Sequence, residues 1–245
     1  MKLSIKYFFS LFFLLTAIVS CKEDEPIEIV KESGTLTDID GNVYNTIKIG
    51  NQWWMAENLK VKKFRNGTNL TSIQTSTDWS AMESAAYCAF DNNNQNIATY
   101  GLLYNWYAVT DINQIAPEGW HVPTDDDWKE LESYLGMSVS ETNNFGWRGT
   151  TAGDALKVEA PKGWSEYSSV WGDNSSGFTA LAGACRLFDG RWAEPGLFAT
   201  GFWWTGTEYS SSEAYYRYLD KKNSGIYRSH TYINYGFSIR CVKNK

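Results

Sequence analysis

The residues able to do chemistry in this chain are few and scattered. Its two histidines, His121 and His230, lie in neither an HExxH pattern nor a catalytic dyad pattern. His121 stands between Trp120 and Val122-Pro123, the setting of a buried structural side chain. No serine occupies a GxSxG elbow. Carboxylates for glycoside cleavage are available at Asp189, Glu194 and Glu208, but no spacing marks out a pair. Asp125-Asp126-Asp127 invites a metal, yet it opens a helix, where acids offset the positive end of the dipole. Cys21, Cys88, Cys185 and Cys241 form no CxxC or His-Cys cluster, so no metal site and no cofactor is expected. Catalysis has little to stand on.

Recognition is better provided for. Twelve Trp and fifteen Tyr exceed what a single core needs. Residues 203 to 235 are dense in Tyr, Ser and Asn, the composition of an antibody-like contact surface. Trp203, Tyr209, Tyr216, Tyr218, Tyr227, Tyr232 and Asn234 are the candidate ligand contacts there. Tyr offers a broad amphipathic face at low entropic cost, and aromatic rings suit the apolar face of a sugar. Strand alternation puts Tyr216 and Tyr218 on one face and Tyr215, Arg217 and Leu219 on the other. Leu219 marks the second face as the core side.

The elements that would carry this surface follow a processing segment. Lys2 and Lys6 form a positive n-region, and Tyr7 to Val19 is uncharged and rich in Phe and Leu. That run suits a signal h-region and is too short for an ordinary membrane span. It ends in Ile18-Val19-Ser20-Cys21, which resembles the lipobox of bacterial lipoproteins. The resemblance implies cleavage before Cys21 and lipid on its thiol, with several acyl chains giving stable anchoring. Lys22-Glu23-Asp24-Glu25 is similar to a surface-export signal of some Gram-negative lipoproteins. Residues 21 to 34 read as a flexible acidic tether. Removing Lys2 and Lys6 from 22 basic residues leaves 20 against 28 acidic ones, a mature charge of −8. That balance excludes nucleic acid as the main partner.

Beyond the tether, Leu36 to Met55 reads as a β-meander, turning at Asp40-Gly41 and Gly50-Asn51, with Trp53 and Trp54 on opposite faces. Gly101 to Val109 reads as one buried helix. Thr124 caps a helix with Asp127 at the capping-box position, Trp128, Leu131, Tyr134 and Leu135 on one face, and Gly136 as its stop. From Gly177 the chain is β in character, with strands at 178–186, 202–208, 214–219, 226–230 and 236–242. In the last of these, Phe237, Ile239 and Cys241 alternate inward against Ser238 and Arg240. Three cysteines outside the signal allow one disulfide and leave one thiol over, with the pairing left open.

Six blocks in order complete the reading: DGNVYNTIKIGNQWWMAENLK (40–60), YGLLYNWYAV (100–109), APEGWHVPTDDDW (116–128), SGFTALAGACR (176–186), FWWTGTEY (202–209) and GFSIRCVK (236–243). Together they resemble the Fibrobacter succinogenes major paralogous domain (FISUMP) of bacterial surface lipoproteins. The resemblance implies a C-type lectin-like fold of the formylglycine-generating-enzyme type. The expectation is an α+β protein, a C-type lectin-like domain with twisted antiparallel sheets and two or three short helices, preceded by the meander. Its parts would be a signal peptide (1–20), the tether (21–34) and the domain (35–245). The resemblance also implies a Cys88–Cys241 disulfide, with Cys185 as the odd thiol. The expected protein is lipid-anchored in the outer membrane at the cell surface, binding an extracellular glycan or protein in adhesion or recognition. An enzyme on the same fold, glycan-active or formylglycine-generating-like, and a structural envelope protein are the competing classes.

Overall fold

A computed structural model describes residues 31–159, 164, 172–193 and 199–245. The signal segment, Cys21 and most of the tether lie outside the described residues. The meander is present as three antiparallel strands, β1 (Ser33–Thr37), β2 (Val43–Ile49) and β3 (Gln52–Met55). β1 starts two residues before the boundary expected at residue 35, because Ser33 pairs with Ile47 and the Lys48 ammonium meets Glu32. Gly50-Asn51 is a two-residue turn between paired Ile49 and Gln52. Gly50 has φ +60, and a Cβ there would strike the Tyr134 ring at 2.8 Å. The other turn is longer than the two residues that Asp40-Gly41 suggests. Thr37 pairs with Val43, so five residues intervene. Asp38 organises them by accepting from the backbone N–H groups of Asp40 and Asn42 and from the Tyr44 hydroxyl.

Short elements follow: β4 (Thr71–Ser72), α1 (Ser76–Ser80), β5 (Ala86–Cys88), α2 (Ile97–Tyr100), β6 (Leu103–Tyr104) and α3 (Trp106–Thr110). The run expected as one helix is thus divided at Asn105. Its extended backbone lets the side chain accept from Ala108 N as the cap of α3 while also accepting from Ala86 N. After β7 (Trp120–His121) comes α4 (Asp125–Tyr134), where both halves of the capping box form between Thr124 and Asp127. Trp128 and Leu131 are buried as expected, but Tyr134 is 64% exposed and lies across the Gly50 turn.

The remaining elements are α5 (Val139–Thr142), β8 (Gly146–Arg148), α6 (Ala152–Leu156), β9 (Thr200–Ser210), β10 (Glu213–Asp220), β11 (Ile226–Tyr232) and β12 (Val242–Lys243). The architecture is mixed α+β, with six α-helices among the described residues instead of two or three. A five-stranded sheet runs β1-β2-β3-β12-β7 and a four-stranded sheet β8-β11-β10-β9, both antiparallel throughout. The third sheet, β4-β5-β6, contains the parallel pair β4 and β5.

Two expected strands are irregular. Residues 178–186 make only isolated bridges, because Thr179 and Ala184 take left-handed backbone conformations. Residues 236–242 pair as a regular strand only from Val242, and both alternating sets are buried, Ser238 and Arg240 as fully as Phe237, Ile239 and Cys241. The cysteines also depart from expectation. Cys88, Cys185 and Cys241 are free, each buried in a different apolar cluster, so the Cys88–Cys241 bridge is absent. Burial pushes the Cys88 thiol up to about 11.

Candidate functional site

The four-stranded sheet carries a row of aromatic side chains fixed by its register. Phe202 of β9 lies opposite Tyr218 of β10, Tyr218 opposite Tyr227 of β11, and Tyr227 opposite Trp147 of β8. Directly paired residues share a face, so one ring from each strand stands in a single cross-strand rung. Ring centroids are 4.6 Å apart for Phe202–Tyr218, 5.8 Å for Tyr218–Tyr227 and 5.2 Å for Tyr227–Trp147. Phe237 backs the rung, stacked 5.0 Å from Phe202 and tilted 5.2 Å from Tyr216. The outer end is open. Trp147 is 40% exposed, with Tyr218 and Tyr227 half-buried beside it. Tyr218 donates to Asp220 Oδ2 at 2.6 Å. Burial first and that bond second push its hydroxyl well above the usual tyrosine range, so it stays a neutral donor.

The opposite face of this sheet is buried and charged. Arg217 and Arg228 are paired across β10 and β11, and both reach Asp125 on α4, at 2.8 and 2.7 Å. Arg217 also donates to Glu132 at 2.6 Å, and Arg148 of β8 grips the same carboxylate with two bonds of 2.8 Å. Burial alone would raise the Asp125 carboxyl. Hydrogen bonds from Arg228, the charge of Arg217 and contact with Lys129 overcome it and hold the group far below the usual carboxylate range. Helix-dipole compensation therefore accounts for only part of the acidic triplet. Asp126 is exposed beside Lys129 and Asp127 caps the helix, while Asp125 clamps α4 beneath the sheet.

The candidate ligand contacts do not form one surface. Tyr216, Tyr218 and Tyr227 share the rung face, with Tyr216 half-buried against Phe237 as support. Trp203 is only 1% exposed and donates inward to Asn58, so it offers nothing to a ligand. Tyr209 is exposed at the rim of the charged face, stacked on His230 at 3.5 Å. Tyr232 packs edge-on against exposed Phe188. Asn234 uses its carbonyl on the Trp79 indole and turns its amide toward the Phe188 carbonyl. Phe202 and Trp147 are the members sequence reasoning missed. Phe202 was legible from the alternation that buries Trp203, whereas Trp147 sits in a three-residue strand with no pattern of its own.

Among the catalytic candidates, His121, His230 and Asp189 are engaged with neighbouring side chains. His121 is half-exposed, not buried, with Nε2 3.0 Å from Asp127 Oδ2 and Nδ1 2.8 Å from Asn244 Oδ1. The bond to Asp127 raises the imidazole above its ordinary value, against the opposing effect of burial. Burial would raise Asp127, but bonds from His121 and Thr124 bring it down to about 2. Asp189 pairs with Arg191 on the surface, and Glu194 lies outside the described residues.

What the sequence blocks encode becomes clear in the interior. Asn58 of the first block accepts through Oδ1 from the Trp203 indole at 2.9 Å and from Arg240 Nε and Nη2 at 3.2 and 3.0 Å. Its amide donates to the Tyr100 carbonyl and to Ser238 Oγ. Arg240 is fully buried and forms no ion pair among the described residues, with Glu57 acting on it only at longer range; it donates also to the Phe178 carbonyl and lies over the Phe178 ring. Burial pulls its guanidinium down to about 9, still charged at neutral pH. Five of the six blocks thus meet at one buried amide and one buried cation. No curated protein and no solved structure matches the chain. The pattern described as the Fibrobacter succinogenes major domain matches residues 47–243. With most of its length so matched, the chain belongs to the Fibrobacter succinogenes major domain family, whose molecular function is unknown.

Proposed function

We propose that this protein is a lipid-anchored, outward-facing lipoprotein of the outer membrane that binds an extracellular glycan or protein without catalysing a reaction. In this reading Cys21 carries the lipid, and the domain is C-type lectin-like. The carrying observation is the rung Phe202–Tyr218–Tyr227–Trp147, one aromatic side chain from each strand, closed behind by Phe237 and open at Trp147. Such a row supplies rigid amphipathic contact area, and the buried ion network behind it keeps the strands from adjusting. An exposed indole beside half-exposed phenols suits either a sugar face or a protein hot spot.

The test is a glycan array and a cell-surface capture with the mature protein, repeated with Trp147→Ala. Loss of the wild-type ligand on a folded variant supports the reading. Retention of every captured ligand by Trp147→Ala and Tyr218→Ala would place recognition elsewhere. For the anchor, Cys21→Ser is expected to abolish labelling by palmitate analogues; unchanged labelling would end the lipoprotein reading.

A further inference from the structure

Away from the rung, a cleft of about 350 Å³ opens between residues 109–122 and the end of the chain. One wall is apolar: Val109, Ile115, Trp120 and Val122. Its titratable lining is Arg65 and His121, and no carboxylate lines it, in a mature chain of net charge −8 (20 basic residues less 28 acidic). Arg65 pairs with no acid among the described residues. Its guanidinium is spent on the carbonyls of Ala116, Pro117 and Trp120 and on Gln114 Oε1. An arginine can only donate, so Gln114 must turn its oxygen to Arg65 and its NH2 away. Asn244 is held in the same sense. At pH 6 the His121 imidazole, raised above its ordinary value by the Asp127 bond, carries both ring protons and gives one to Asp127 and the other to Asn244 Oδ1, which leaves the Asn244 NH2 over. Both amides line the cleft, and neither NH2 has another hydrogen-bond partner among the described residues. Gln114 is held in place by a left-handed backbone, φ +57, with its carbonyl on the Arg65 N–H.

We propose that this cleft binds a small carboxylate with a flat apolar body. The anion lies between the Gln114 and Asn244 amides in the field of Arg65, the His121 charge being met by Asp127, and the body lies on the Trp120 and Val122 wall. Cavities of this size with an apolar wall and a few convergent donors suit small ligands. Two neutral N–H donors and a positive background select a carboxylate over an amide of the same shape. The apolar wall selects against an acidic sugar.

The experiment titrates the 15N-labelled mature protein at pH 6 with benzoate, benzamide and glucuronate, reading the side-chain amide signals of Gln114 and Asn244. Benzoate is expected to move both signals at millimolar concentration, and to bind about tenfold or more tighter than the other two, as the loss of a charge-assisted bond or of the apolar contact implies. Gln114→Glu places an anion beside Arg65 and is expected to abolish benzoate binding; Gln114 is exposed, so the variant keeps its fold. Val109→Trp is expected to block the cleft sterically. Absence of benzoate shifts, benzamide binding equal to benzoate, or benzoate binding unchanged in Gln114→Glu would each overturn the proposal. Glucuronate binding equal to benzoate would overturn the apolar body.

Discussion

The two faces of the four-stranded sheet divide the usual labour of side chains in an unusual way. The face against α4 buries Arg148, Arg217 and Arg228, while the outer face leaves Phe202, Tyr218, Tyr227 and Trp147 partly open. Burying a guanidinium is tolerable only where its donors and charge are met. Here Asp125 and Glu132 meet the charges from one helix, at 2.6 to 2.8 Å, and the Thr142 and Asn143 carbonyls take further donors, although Arg148 Nε has no acceptor among the described residues. The outer face has the opposite economy. Its rings gain from one another by stacking, so they need no cover, and the exposed remainder is available to a ligand. The charged face should therefore answer to stability and the aromatic face to binding.

The largest effect is expected on the charged face. Glu132→Ala leaves Arg148 and Arg217 buried without their shared carboxylate, and breaking such a network costs about 3–5 kcal/mol. Urea unfolding of the variant measures it. A loss below about 1 kcal/mol would mean that solvent reaches the pair and that the two faces do not differ in kind. On the aromatic face, Trp147→Ala is expected to cost about 1–3 kcal/mol of binding to the captured ligand, as for an exposed hot spot. Its unfolding free energy should stay within about 1 kcal/mol of the parent, because the indole is exposed and packs only on the half-exposed Tyr218 and Tyr227 rings among the described aromatic side chains. Equal loss of stability in the two variants would dissolve the comparison.

The two faces also differ in how far the sequence discloses them. Alternation along Tyr215 to Leu219 separates the faces correctly, since it depends on neighbours in one strand. The capping box of α4 and the Gly50-Asn51 turn are legible for the same reason. Arg217 is a different matter. Its partners Asp125 and Glu132 lie 92 and 85 residues earlier, and no local pattern pairs them. Arg240 and Asn58, 182 residues apart, hide in the same way, and alternation wrongly assigns Arg240 to an outward face. The cysteines fail for a related reason. Expectation of a bridge rests on oxidising surroundings, whereas each thiol serves as a small apolar side chain in its own cluster. Trp147 could be placed only once β8 was seen to pair with β11.

Acidification sharpens the contrast further. Asp125 is ionised in the fold far below the usual carboxylate range, and Asp127 titrates at about 2 against an ordinary 3.8. A depressed carboxyl contributes stability above its unfolded value and loses it as the pH falls through its folded value. Stability is therefore expected to decline from about pH 4 downward. Asp125→Asn should flatten that decline, while Trp147→Ala should leave its slope as in the parent. Matching slopes in Asp125→Asn and the parent would show that the charged face is not what acid attacks.

The smallest expected effect lies at the edge of the charged helix, where His121 meets Asp127. The raised imidazole contributes stability that is complete below its unfolded value, near 6.5, and is lost as the pH rises through its folded value. Asp127 contributes above 3.8 and loses its share toward about 2. The couple is therefore whole only between these limits, and it weakens on both sides by titration of different partners. His121 is more than a third exposed, so salt screens the pair and its worth stays within about 1 kcal/mol. His121→Gln is expected to remove the alkaline decline while keeping the acid one, because Thr124 still bonds Asp127 in the capping box. Unfolding midpoints measured at pH 5 and pH 8, in low and high salt, resolve the two limbs. An alkaline decline that survives in His121→Gln would assign it to another group and leave His121 a packing residue.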